Sequence, residues 1–186
     1  MSEATLERRQ WTDRLWSRWP TAAGVALAAF VVTSDSALDS AAELVPLLAL
    51  EYLLVAKLGR REATWPVIAG LSVVIAVVMV LDVVPLPTVV AAIAVIVLVW
   101  SAVDRQLFRS GEFRLQALGM VGFGALTLMA LAVEPDVARY IVAAAWLLHG
   151  VWDFVHLWRD KVVSRSYAEW CGVADVLVAF GLVLLV

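Results

Sequence analysis

The chain has 186 residues, of which 63% are hydrophobic and only 17% charged, with a formal net charge of −3. A soluble domain of this size would not expose so little polar surface, and so small a net charge gives no reason to expect nucleic acid as a partner. Apolar runs of about 17–20 residues match the hydrocarbon thickness of a bilayer, so the expected class is an all-α, polytopic integral membrane protein. The strict alternation of a membrane β-barrel is missing. One cysteine, Cys171, excludes an intramolecular disulfide and a multi-cysteine metal site, and it reads as a packing residue.

Residues 1–18, MSEATLERRQWTDRLWSR, are charged and carry no apolar core, so no cleavable signal is expected. They read as a cytoplasmic leader, either solvated or lying on the membrane with Trp11 and Trp16 dipping inward. Seven spans follow, at roughly 19–34, 41–57, 65–83, 87–103, 115–133, 137–158 and 168–186, and 19–186 is expected to be one seven-helix transmembrane domain. Pro46 should kink the second span. DVVPLP makes a tight turn between the third and fourth. In the fifth, GMVGFG places Gly119, Gly122 and Gly124 where they would permit close helix contact; with no strand before them they are not a phosphate loop.

Charge sets the expected orientation. Thirteen of the 14 basic residues fall at the N-terminus or in the second-to-third, fourth-to-fifth and sixth-to-seventh connections; the exception is Arg139. By the positive-inside rule the N-terminus is cytoplasmic and the C-terminus outside, in the plasma (cytoplasmic, or inner) membrane. An odd number of spans requires the same. Trp11, Trp16, Trp19, Trp65, Trp100, Trp158 and Trp170 gather at the same boundary as a one-sided belt.

Against this background AWLLHGVWDFVHLWRD, residues 145–160, stands out. His149, Asp153 and His156 lie within roughly 60° of one another on one helix face, which should therefore point into the bundle. At about 1.5 Å per residue, His156, Asp153 and His149 lie about 3, 8 and 14 Å from the cytoplasmic end; Asp175 on the seventh span and Glu51 on the second lie about 10 and 9 Å deep. An ionised carboxylate at membrane depth costs about 2.5–3.5 kcal/mol, so three would cost roughly 8–10 kcal/mol. No lysine or arginine lies at their depth within a span to offset them; Lys57 and Arg139 stand at span ends. The acids must be protonated, hydrated, paired with a protonated histidine, or bound to a cation.

Two imidazoles and three carboxylates form a mixed nitrogen and oxygen ligand set suited to Zn²⁺, Fe²⁺ or Mn²⁺. The expected ligands are His149, Asp153, His156 and Asp175. Glu51 or Asp175, whichever is left over, would act as general base on water polarised by the ion. Trp152 and Tyr52 are expected to line the pocket, with Gln116 and Ser101 along an access route. His149 and His156 are about 10.5 Å apart along the axis, so one ion takes both only if the rings lean together; a second ion bridged by Asp153 is the other arrangement.

The expected function is an intramembrane metal-dependent enzyme, a hydrolase of a lipid or other membrane-soluble substrate. The same buried acids and histidines also suit a proton- or cation-translocating protein, with Asp35, Asp39 and Glu43 as an outer acidic mouth, although helices three to five offer only Ser72 and Thr127 midway. A non-catalytic accessory or cofactor-binding subunit is the third possibility. A haem clamp from two helices is not available, because both histidines share one span, and a retinal Schiff base has no lysine at depth within a span to form on.

Seven spans, a His and Asp site within the membrane and an N-terminus inside resemble, in architecture alone, the superfamily of alkaline ceramidases, progestin and adiponectin receptor proteins and haemolysin III-like proteins. Those proteins use three histidines, two of them spaced HxxxH on the last helix. Here two histidines stand seven apart on the sixth, so no residue role is carried over.

Overall fold

The structure is a computed structural model that describes residues 17–109 and 111–185. Among these residues it is all-helical, with no strand. Its seven α-helices are α1 (Trp19–Val32), α2 (Ala37–Leu58), α3 (Thr64–Leu81), α4 (Leu86–Val103), α5 (Glu112–Leu131), α6 (Pro135–Arg159) and α7 (Arg165–Leu184). Each falls on one of the apolar runs. The leader expected at 1–18 lies, but for its last two residues, outside the described residues.

Local signals explain the boundaries. Proline stands in the first turn of α1, α4 and α6, where its missing N–H would have had no helical partner. Gly59 ends α2 in the left-handed region, at φ 63°. The Ser164 hydroxyl accepts the Tyr167 N–H at the start of α7. α2 continues as one helix through Pro46.

Five segments are long and apolar enough to cross a membrane: residues 61–81, which add a short 3-10 turn to α3, together with α4, α5, α6 and α7. α1 and α2, expected as spans, differ for physical reasons. With 14 residues, α1 is about 21 Å long, short of the hydrocarbon core at about 30 Å. α2 has 22 residues, but Asp39, Glu43, Glu51 and Lys57 interrupt its apolar character. It is the central helix: every residue from Val45 to Leu53 is buried.

α2 packs against α4, α5 and α6, and more lightly against α1, α3 and α7. α6 and α7 form the most extensive pair, with α1 along α7 and α5 along α6. Glycine allows the α1–α7 and α6–α7 approaches. A Cβ on Gly24 would stand 2.5 Å from the Trp170 carbonyl oxygen, and one on Gly181 2.5 Å from Val32. Cβ atoms on Gly150 and Gly172 would meet those of Asp175 and Asp153 at 3.2 Å. The glycines of GMVGFG do not do this: Gly122 and Gly124 have no neighbour within 4 Å of a built Cβ, and Gly119 meets only the Trp152 ring.

At the basic end the connections are tied together. Arg61 donates to both Asp160 carboxylate oxygens, at 2.5 and 3.1 Å, and to the Val163 carbonyl at 3.3 Å. The Ser164 N–H donates to the Thr64 hydroxyl, Lys57 pairs with Asp104, and Lys161 pairs with Glu112 at 2.8 Å. Trp19, Trp65 and Trp170 stand in a row here, with centroids 5.4 and 5.8 Å apart.

Candidate metal centre

The polar face of α6 does point inward: His149 and Asp153 are fully buried and His156 nearly so. α7 meets this face one helical turn further along with Asp175 and Cys171, both fully buried. His149 Nδ1 lies 2.7 Å from Asp175 Oδ2 and 3.2 Å from Asp153 Oδ2. Nδ1 donates its proton to Asp175 Oδ2, while Asp153 Oδ2, though close, is a buried oxygen with no hydrogen-bond partner among the described residues. The Tyr52 hydroxyl of α2 donates to Asp153 Oδ1 at 2.5 Å. The Cys171 thiol lies 3.8 Å from Asp175 Oδ1 and from the Tyr167 hydroxyl.

Four donor atoms, one each from His149, Asp153, Cys171 and Asp175, lie within 4.8 Å of one another. This buried group could hold a metal ion. The ligands of a tetrahedral site stand about 3.3–3.8 Å apart, as bonds of about 2.0–2.3 Å require. The 3.2 and 3.8 Å separations come close to that. The 2.7 Å separation is a hydrogen-bond length, so an ion would replace the proton held there and the two atoms would part by about half an ångström. Among the described residues no lysine or arginine pairs with either carboxylate.

Two expected site residues stand outside this group. His156 takes part in a closed ring of hydrogen bonds. Its Nδ1–H donates to the Trp152 carbonyl at 2.8 Å, leaving Nε2 as the acceptor for the Gln116 amide at 2.9 Å. The Trp152 indole N–H donates to Gln116 Oε1 at 3.1 Å and completes the ring. The acceptor role of Nε2 fixes His156 as a neutral, Nδ1-protonated imidazole, with both nitrogens engaged. Glu51 is buried to 1% exposure, yet neither carboxylate oxygen has a hydrogen-bond partner among the described residues. The site also has a member that the sequence reading left as packing, namely Cys171. The available signal was its place four residues before Asp175, on the same face of α7.

Of the two expected lining residues, Tyr52 bonds Asp153, while Trp152 packs on His156 with ring centroids 5.3 Å apart. The Tyr52 ring stands edge-on to both imidazoles, at 5.6 Å from His149 and 4.9 Å from His156. Phe123 of α5 lies 5.0 Å from His149 and 6.2 Å from Trp152. Toward the acidic end the interior closes. Trp146 and Val142 on α6, Val178 and Leu182 on α7, and Val45 on α2 are all buried, and the Trp146 indole donates to the Ala41 carbonyl at 2.9 Å. The hydroxyls of Ser72 and Thr127 bond carbonyls of their own helices, and the buried Ser101 hydroxyl has no partner among the described residues.

His149 Nε2 is a further buried atom without a partner among the described residues. The group thus combines a buried nitrogen, oxygen and sulfur donor set, unpartnered lone pairs and no fixed counter-cation. Such a set can take up a cation or hold shared protons. No protein-family model, no curated protein and no solved structure matches this chain.

Proposed function

We propose that this protein is an intramembrane metal-dependent hydrolase acting on a lipid or another membrane-soluble substrate. It would sit in the cytoplasmic membrane with its N-terminus inside. The observation that carries this reading is the buried quartet of His149, Asp153, Cys171 and Asp175, gathered within 4.8 Å and, among the described residues, without a lysine or arginine partner. A thiolate beside imidazole and carboxylate favours Zn²⁺ or Fe²⁺ over Mn²⁺. With both aspartates in the quartet, Glu51 is the remaining carboxylate and the candidate general base. It would take a proton from water polarised by the ion; the water oxygen bonds to the acyl carbon, and the leaving group departs with that proton.

The translocation reading has less support, because buried apolar side chains and the Trp146–Ala41 hydrogen bond close the interior toward the acidic end. Metal analysis of protein purified without a polyhistidine tag tests the proposal. About one Zn or Fe per chain is expected, released as pH falls because protons compete for the ligands. Asp153→Asn, which keeps the side-chain shape, should abolish it. Metal-free protein that conducts ions in liposomes in a pH-dependent way would overturn the proposal.

A further inference from the structure

Between α5 and α6 lies a groove of about 510 Å³, within the range of about 300–1,000 Å³ typical of ligand sites. Gly119, Gly122 and Phe123 form the α5 wall, and Trp152, Val155 and His156 the α6 wall. The lining is almost wholly apolar. Glycine keeps it open, since a Cβ at Gly122 would meet nothing within 4 Å. On α6 the cavity extends from Leu148 to His156, about 12 Å along the axis. Its shape suits a chain lying along the helices.

Charge names the head of the occupant. Continuing the Trp152–Val155 face of α6 by one turn reaches Arg159, which is exposed and makes no ion pair among the described residues. Lys161 stands just beyond, its ammonium on Glu112. With Asp160 held by Arg61 and Glu112 by Lys161, Arg159 is left as the uncompensated positive charge at the basic end of the groove. We infer that this groove binds one acyl chain of an anionic phospholipid from the leaflet at the basic end, with the phosphate at Arg159. One aromatic ring, Phe123, both lines the groove and stands 5.0 Å from His149. The inference names the substrate class of the proposed chemistry and, in that role, rests on that reading.

The test uses the full chain in phosphatidylcholine vesicles doped with phosphatidylglycerol bearing a photoreactive acyl chain, or with phosphatidylcholine bearing the same chain. The anionic probe should label α5 and α6 beside the groove several-fold more than it labels α3 and α4. Gly122→Leu, which fills open space, should remove that excess. Arg159→Gln should cut the preference for the anionic probe by about fivefold while leaving chain labelling in place. Even labelling along all lipid-facing helices overturns the inference. So does a dimer seen by native mass spectrometry and dissociated by Gly122→Leu, because a second copy would then occupy the face. Metal measured on the same samples separates the two claims. Bound metal without groove labelling removes this inference alone, and groove labelling without metal removes the hydrolase reading alone.

Discussion

The α3–α4 and α6–α7 hairpins are both built from apolar sequence, but their interiors differ. Only 11% of the most apolar stretch that contains α3 is buried, against 56% in α7. α3 is apolar on every face and exposed on nearly every face, as a helix surrounded by lipid would be, and α4 touches it only lightly. α6 and α7 are the less hydrophobic pair, and they hold the buried histidines, aspartates and cysteine. In this bundle lower hydrophobicity marks deeper burial, the reverse of a water-soluble core. Lipid is as apolar as leucine and rewards no apolar burial between helices, whereas a polar group gains only where protein partners surround it.

Matched substitutions in the two hairpins sharpen the contrast. Gly150→Leu should have the largest effect, because even a Cβ there would stand 3.1 Å from Val176 and 3.2 Å from Asp175. A loss of about 3 kcal/mol or more is expected in SDS-titrated unfolding. Gly70→Leu on α3, with open space around it, should stay within about 0.5 kcal/mol. Next comes the hydroxyl that α2 supplies to the α6–α7 hairpin: Tyr52→Phe takes it from Asp153 of α6 and should cost about 1.5–3 kcal/mol by the same measurement. Its counterpart Ser72→Ala should cost almost nothing, because that hydroxyl bonds only its own helix. Equal effects in either pair would dissolve the distinction between the hairpins.

The turns allow a finer version. Val162, in the α6–α7 turn, holds φ at 69°, a region that penalises a β-branched side chain. Val162→Gly should stabilise the protein by about 1 kcal/mol, read as a rise in melting temperature. Asp82→Gly, at φ 47° after α3, should change little, since aspartate tolerates that region. The smallest effect concerns Asp160, whose carboxyl is held below its ordinary value of 3.8 chiefly by its hydrogen bonds to Arg61. A lowered folded-state value gives stability that is present above pH 3.8 and lost as pH falls through the folded value. Asp160→Asn should remove that slight acid-side drop in melting temperature, and added salt should shrink it in the parent chain.

Much of this was legible in the chain itself. Apolar runs and charged connections located all seven helices. Three polar residues within one narrow arc gave the inward face of α6, and counting residues from the boundary brought Asp175 level with Asp153. What could not be read was azimuth between helices. Glu51 has the right depth, but adjacent residues on a helix point about 100° apart, and it is Tyr52 that reaches Asp153. The partner of His156 is Gln116, 40 residues away on α5, and no local pattern announces that meeting. Cys171 was obscured because a buried thiol resembles any small apolar side chain until its neighbours are known. The contact glycines were misplaced because Gly24, Gly150, Gly172 and Gly181 stand singly, whereas GMVGFG is conspicuous and faces mostly open space.

The chain carries its own reporter. Cys171 is the only sulfhydryl in 186 residues, and it sits fully enclosed against Asp175. Any maleimide adduct on the native protein therefore originates at this one spot. The rate of alkylation measures how often the α6–α7 seam opens, and no residue has to be engineered to read it.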